Sequence, residues 1–515
     1  MINSIKPIAI YAILILICFF LFYNTGIHGD DHTAIKYFEN KKFIEIFIIN
    51  PIDLGIWIYV LPAYLFFYCF YNIFGTDYIF GYELIKFMIH ISSTFFLYKF
   101  FSNFTTSSRS IIASLFFIFF ISHDSTTYWY MASAYMLFFP CLVFYSFHLI
   151  FNNSFFRGTL LLTISSLCYS TPPIIFGLSV FFLLKREFTK FFIFFFSGLI
   201  FVSYYFIISY WFPVTENRID DNLTLIVLIK NFIFQFISSI DSTIGINIIY
   251  KIFYSLANLN IVSVLLSLLT TFIILIQIKD EKKDENNFNF FLFISLLSIY
   301  LLSLSMFALT GMYTQSSFNL GNRVTIYFCI FIAFLITLIR NKNILILIFS
   351  IVLIFPSISI SQHWKDWNDK QNIIYDNLNK NTDLKKIPDH ILIVEKNNYS
   401  KLGPFAHIEL FSMSWHLETM FSKIVKKQNI ISLTSYTKFS DGKITDLKSR
   451  KTITLSDPIY IYDTELNLVK KVEKNDIIKK LRDINEVRHW SQLLHRDSII
   501  VKLIIFLNPR LEYLF

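Results

Sequence analysis

Two adjacent carboxylates, Asp30 and Asp31, stand in the stretch GIHGDDHTAIKYF, immediately after an apolar run from Ile8 to Tyr23. A carboxylate at such a place can cap a helix, accepting hydrogen bonds from the free amides of its first turn. It can also act as a general base, taking the proton of an acceptor hydroxyl as that hydroxyl attacks a sugar carbon. Capping requires one carboxylate, not two, so both residues stand as candidate bases and the spacing does not separate them. His28 and His32 flank the pair, and HGDDH could hold a cation weakly. No H-E-x-x-H and no paired cysteines accompany it, so neither a metal nor a cofactor is expected.

Four further groups of polar residues interrupt apolar sequence. Glu83, Lys86 and His90 are spaced i, i+3 and i+7, which puts them on one helix face. Lys86 there either snorkels or neutralises a lipid phosphate as a point charge, and His90 is either a satisfied core imidazole or part of a substrate site. His123 and Asp124 form a second polar group in SHDSTTYWYMASAYM. Trp129 and Tyr130 follow it, as stacking partners for a sugar ring or as part of an interfacial aromatic belt. Arg323 opens a late apolar run. Its planar fork suits a phosphate, and Asn319 and Asn322 stand beside it as further donors to phosphate or sugar.

The elements that must position these residues are membrane helices. Apolar residues make up 55% of the 515, charged residues 16%, and the mean hydropathy is +0.55; soluble domains carry about 25% charged residues. A bilayer core of about 30 Å takes about 20 apolar residues per helix. On that basis about eleven spans are expected, near 5–23, 82–101, 110–122, 133–151, 158–170, 172–184, 190–212, 259–278, 288–309, 323–340 and 343–361. Pro172 and Pro173 mark the tip of a helical hairpin. The apolar stretches 53–75 and 213–258 are read as interfacial helices. Arg109, Arg157, Lys185, Arg186, Lys190, Lys279, Lys282, Lys283, Arg340 and Lys342 fall in alternate short loops, which makes those loops cytoplasmic. Asp30 and Asp31 then face outward, as does everything after residue 361.

Residues 362–515 change character. HILIVEK and ISLTSY read as buried strands, TITLSDPIYIYDTELNLVKKV as a hairpin turning near Ser456, Asp457 and Pro458, and HIELFSMSWHLETMFSKI as a helix. The expected fold is an all-α polytopic membrane domain over 1–361 followed by an extracytoplasmic α/β domain over 362–515. All five cysteines lie in apolar stretches, which argues against a disulfide framework. Of the net charge of +9, about +6 falls after residue 362. A mildly basic domain beside a bilayer suits anionic headgroups, and no nucleic-acid motif accompanies it.

This arrangement resembles the GT-C superfamily of integral-membrane glycosyltransferases. The resemblance rests on GDD after the first helix, the long amphipathic outer loop, NIFGTDYIFGYELIKFMIHISSTFFLYKF, and the many spans with an outer soluble tail. It covers roughly residues 5–360, and residues 362–515 match no family pattern. The resemblance implies transfer of a sugar, hexosyl or pentosyl, from a polyprenyl-phosphate donor to a glycan, lipid or protein acceptor on the outer face of the cytoplasmic membrane. It implies inversion at the sugar carbon and no metal. It also implies a catalytic carboxylate within Asp30–Asp31, a second acid at Asp124, a lipid-phosphate contact at Arg323, and functional positions at Lys86 and His90. Three rival readings stand beside it: an O-antigen or polysaccharide polymerase or ligase, a polytopic lipid or sugar transporter, and a non-enzymatic scaffold. Replacing the acids separates these classes, since only an enzyme would lose turnover while still binding lipid.

Overall fold

The computed structural model describes residues 16–39, 59–76, 78–211, 219, 223–257, 259–279, 288–311, 315–318, 320–339, 341–387, 391–395, 399–402, 405–409, 414–422, 430–433, 437–446, 451–456, 458–485, 502–503 and 505–506. The chain divides into two compact units. One comprises residues 1–23, 41–317 and 321–362, the other residues 24–40, 318–320 and 363–515. The early loop that carries Asp30 and Asp31 therefore groups with the C-terminal residues.

The first unit is helical. Its main elements are α2 (Leu61–Phe74), α3 (Ile79–Phe101), α4 (Ser107–Phe119), α5 (Phe139–Phe151), α6 (Phe155–Ser166), α7 (Pro172–Leu184), α8 (Phe188–Trp211), α9 (Leu225–Thr243), α10 (Ile246–Ala257), α11 (Ile261–Lys279), α12 (Phe290–Thr310) and α13 (Ile326–Thr337), numbered after α1 (Asp30–Phe38) of the other unit. Among the described residues, seven helical runs are long and apolar enough to cross a membrane, and α2, α7, Ile261–Phe272 and Gly321–Thr337 are shorter apolar helices. The protein is thus a membrane protein by the length and composition of its helices.

Several local reasons for these helices are visible. Pro172 and Pro173 occupy the first turn of α7, where a missing amide proton costs nothing. Gly177 on α7 leaves no room for a Cβ against Ile299 of α12, and Ser295 Oγ donates to the Gly177 carbonyl at 2.8 Å. A small residue lets two membrane helices approach closely. Arg109 donates to the Ile339 carbonyl just past α13 at 2.8 Å, a cation where a helix dipole is negative.

Of the segment expected to be interfacial, 213–258, α9 and α10 together make an apolar run, Leu225–Ala257, that by length and composition could also cross a membrane. The run is interrupted at Ile244 and Gly245 and is two-faced. Asn231, Gln235, Ser239, Ser242, Lys251 and Ser255 are buried, whereas Ile226, Ile229, Ile233, Ile237, Ile249 and Phe253 are exposed. A helix with polar residues inside and apolar residues outside has its complement in lipid, not in water.

The second unit contains α1, the later part of α14 (Phe355–Lys380), α15 (Ser414–Ser422) and α16 (Lys474–Asn485), with strands β1 (Ile391–Glu395), β2 (Tyr399–Leu402), β3 (Phe405–Glu409), β4 (Ile430–Ser432), β5 (Thr437–Ser440), β6 (Lys443–Asp446), β7 (Lys451–Thr454), β8 (Ile459–Asp463) and β9 (Leu468–Val472). The main sheet runs β4-β1-β8-β9, with β1 parallel to β4 and β8, and β8 antiparallel to β9. Ile393, Ile431, Ile459, Ile461, Ile477 and Leu481 belong to its core. β1 and β4 occur where HILIVEK and ISLTSY suggest. The hairpin differs: β7 pairs with β6, and the turn joins β8 to β9 through Thr464–Asn467, where Asn467 takes φ 53°. A left-handed residue closes that turn more readily than Pro458 would. The stretch expected to be one helix, HIELFSMSWHLETMFSKI, contributes residues to β3 before α15 begins at Ser414.

Candidate functional site

In the C-terminal unit, the loop after Tyr23 is held by α14. Asn368 Nδ2 donates to the Asn24 carbonyl at 3.3 Å, Gln371 Nε2 to the Ile27 carbonyl at 3.0 Å, and Asn24 Nδ2 to Asp369 Oδ1 at 2.8 Å. His28 stacks on Trp367 with ring centroids 3.9 Å apart and meets Trp364 at 4.8 Å. Trp364 and Trp367 are buried, so this part of α14 has one aromatic face turned inward. Gly26, at φ 65°, lets the loop turn against Asn368 without a side chain in the way.

The two acids then part company. Asp31 is 1% exposed, and its Oδ2 accepts from the His28 backbone amide at 2.9 Å, so it ties the loop to the first turn of α1. Asp30 keeps 29% of its side chain exposed, and His416 Nε2–H of α15 donates to its Oδ1 at 2.9 Å. α1 packs on α15, which brings the two residues together across 386 positions of sequence. Asp31 thus reaches back to an amide ahead of α1 and not to a free amide of its first turn, while Asp30 keeps part of its carboxylate exposed beside His416.

The membrane unit holds the other candidates. Lys86 is fully buried and donates to the Tyr128 carbonyl at 3.0 Å. His90 Nδ1–H donates to the Lys86 carbonyl at 2.6 Å, and its ring lies 4.5 Å from that of Phe22. Its Nε2 and the His123 Nε2 find no hydrogen-bond partner among the described residues. His123 Nδ1 shares a hydrogen bond of 2.8 Å with Thr126 Oγ1. Glu83 is buried on the same helix as Lys86. Tyr130 packs its ring against Phe67 at 4.7 Å and Tyr82 at 5.1 Å.

Trp129 and Arg323 do meet. The guanidinium lies over the indole, 5.1 Å from the ring centroid, and Trp129 Nε1 is buried with no partner among the described residues. Such stacking fixes a planar cation while leaving its edge for a ligand. Asp124 and Asn322 also meet, but not as a solvent-facing polar cluster. Asp124 is 2% exposed, and its Oδ1 accepts from Lys251 Nζ at 2.7 Å and from Asn322 Nδ2. Asn319 lies outside the described residues.

Comparison with protein-family models finds no match, and searches of curated proteins and of solved structures likewise find none. Among the described residues, no three His, Cys, Asp or Glu side chains are grouped to hold a metal ion.

Two residues enter that the motifs do not single out. Lys251 sits in INIIYKIFYSLA, and a lone lysine in an apolar run is a signal of a buried partner. His416 has no such signal. SMSWHLETM gives no hint of Asp30.

Proposed function

We propose that the chain is a GT-C-like glycosyltransferase of the cytoplasmic membrane. It moves a sugar from a polyprenyl-phosphate donor to a glycan, lipid or protein acceptor on the outer face, with about eleven spans and the C-terminal unit outside. The observation that carries this reading is Asp30: a carboxylate with partial access, held by His416 at 2.9 Å, at the start of a helix that follows an apolar helix.

The reaction is a single displacement. Asp30 takes the proton of the acceptor hydroxyl as its oxygen bonds to the sugar carbon. The bond from that carbon to the phosphate oxygen breaks on the opposite side, the electron pair leaves with the polyprenyl phosphate, and the configuration inverts. The His416 N–H holds the carboxylate in one orientation. Arg323 and Lys86 are the candidate cations for the phosphate, the group on which charge develops as it leaves. His90, His123, Trp129, Tyr130 and Asn322 are candidates for donor or acceptor contacts.

The test is turnover of full-length protein in lipid nanodiscs with a radiolabelled polyprenyl-phosphate sugar. Asp30→Asn is expected to lose at least about 100-fold in turnover and to keep donor binding, the usual scale for a lost general base. Undiminished transfer by Asp30→Asn removes the mechanism. The buried Lys251–Asp124 pair favours a second reading, a transporter, since such pairs line transport paths. A transporter would show donor flux across the bilayer with no product sugar linkage in the same assay.

A further inference from the structure

Three segments of the membrane unit meet at one buried ion pair. Lys251 of α10 is fully buried and donates to Asp124 Oδ1 at 2.7 Å and to the Ser317 carbonyl. Asn322 Nδ2 donates to the same Asp124 oxygen, and Asn322 Oδ1 accepts from the Ser125 backbone amide at 3.1 Å and from the Ser125 hydroxyl. Ser317 Oγ and Ser122 Oγ both donate to the Ser242 carbonyl of α9, at 2.6 and 3.0 Å.

The consequence falls on Arg323 and Trp129. Arg323 follows Asn322 directly. The Trp129 backbone amide donates to the Ser125 carbonyl at 3.0 Å, so the residue that Asn322 grips also holds the tryptophan. Cation and aromatic ring thus adjoin one cluster through neighbouring residues, with the guanidinium 5.1 Å from the ring centroid. A cluster built only for stability has no need of charge, because apolar residues of similar volume serve as well in a buried position. A directional pair fixes register instead.

We infer that Lys251, Asp124 and Asn322 form a positioning clamp that sets Arg323 over Trp129 in the orientation that meets a lipid-linked phosphate. This rests on the reading of Arg323 given above. Asp124 is then a strut and not a second base: its carboxylate is turned to Lys251 and Asn322 and is all but inaccessible. Lys251 acts through Arg323 and touches no substrate.

The experiment separates orientation from stability. Lys251→Met alone leaves a buried carboxylate without its lysine and is expected to lower yield and melting temperature. Lys251→Met with Asp124→Asn removes both charges and is expected to recover them. A clamp predicts that this folded double variant still binds a short-chain polyprenyl-phosphate sugar about 10-fold or more weakly, the scale of one lost charged hydrogen bond. It also predicts that phenylglyoxal modifies Arg323 at a changed rate, read by mass spectrometry of the Arg323 peptide. Asn322→Ala keeps the ion pair and provides a second variant, with the same two changes expected. Wild-type affinity together with a wild-type modification rate in either folded variant overturns the clamp. Arg323→Ala in parallel tests the underlying reading. Unchanged donor affinity there sinks the phosphate assignment, while a changed modification rate in the double variant still supports the clamp.

Discussion

Asp31→Ala and Asp30→Ala should affect different properties of the protein. Asp31 is buried and accepts from the His28 amide at 2.9 Å. A hydrogen bond to a charged group contributes about 1.5–3 kcal/mol, and its loss leaves a buried amide without its carboxylate. A carboxylate in the first turn of α1 adds about 0.3–1 kcal/mol against the helix dipole. Relief of the buried charge offsets part of this, so a net loss of about 2 kcal/mol is expected for Asp31→Ala. Asp30 is partly exposed, and a polar contact of that kind contributes about 0–1 kcal/mol. For a unit of this size, 1 kcal/mol moves the melting temperature by about 2–4 °C. The expected shifts are therefore about 4–8 °C for Asp31→Ala and about 4 °C or less for Asp30→Ala. Trp364 and Trp367, packed around His28, report the transition by fluorescence. Turnover per folded molecule should show the reverse order, with Asp30→Ala nearly inactive and Asp31→Ala largely active. A wild-type melting temperature for Asp31→Ala would refute the structural role of its bond to the His28 amide. Inactivity of a stable Asp31→Asn beside an active Asp30→Asn would reverse the assignment.

Three further outcomes are expected. Gly26→Ala forces a side chain onto a left-handed residue and into Asn368, so it should destabilise the C-terminal unit by more than about 1 kcal/mol in the same fluorescence melt. Lys86→Met keeps the volume of a fully buried side chain but removes its charge; normal yield with donor affinity lowered about 10-fold is expected if Lys86 faces the phosphate, and unchanged affinity refutes that role. In cells, an impermeant thiol reagent should label Lys443→Cys, exposed on β6, and miss Lys185→Cys, exposed after α7; the opposite pattern would invert the topology.

Much of the membrane unit was legible from the length of apolar runs, because a span is a local property of sequence. The prolines of α7 and the strands β1 and β4 were legible for the same reason. The sidedness of the run over 225–257 is legible in its spacing. Asn231, Gln235, Ser239 and Ser242 lie i, i+4, i+8 and i+11, and Lys251 and Ser255 lie i and i+4, so the polar residues form narrow stripes on otherwise apolar helices. In a bilayer that stripe turns inward.

The acid pair shows where local reading ends. Consecutive residues on a helix point about 100° apart, so Asp30 and Asp31 had to face different surroundings once α1 formed. Which of them faced a partner depended on what packed against α1, and that is α15, nearly four hundred residues later. The loop before α1 is likewise shaped by Trp364, Trp367, Asn368 and Gln371. An early motif in this chain therefore takes its geometry from the C-terminal residues it groups with, and no local reading of GIHGDDHTAIKYF could supply them.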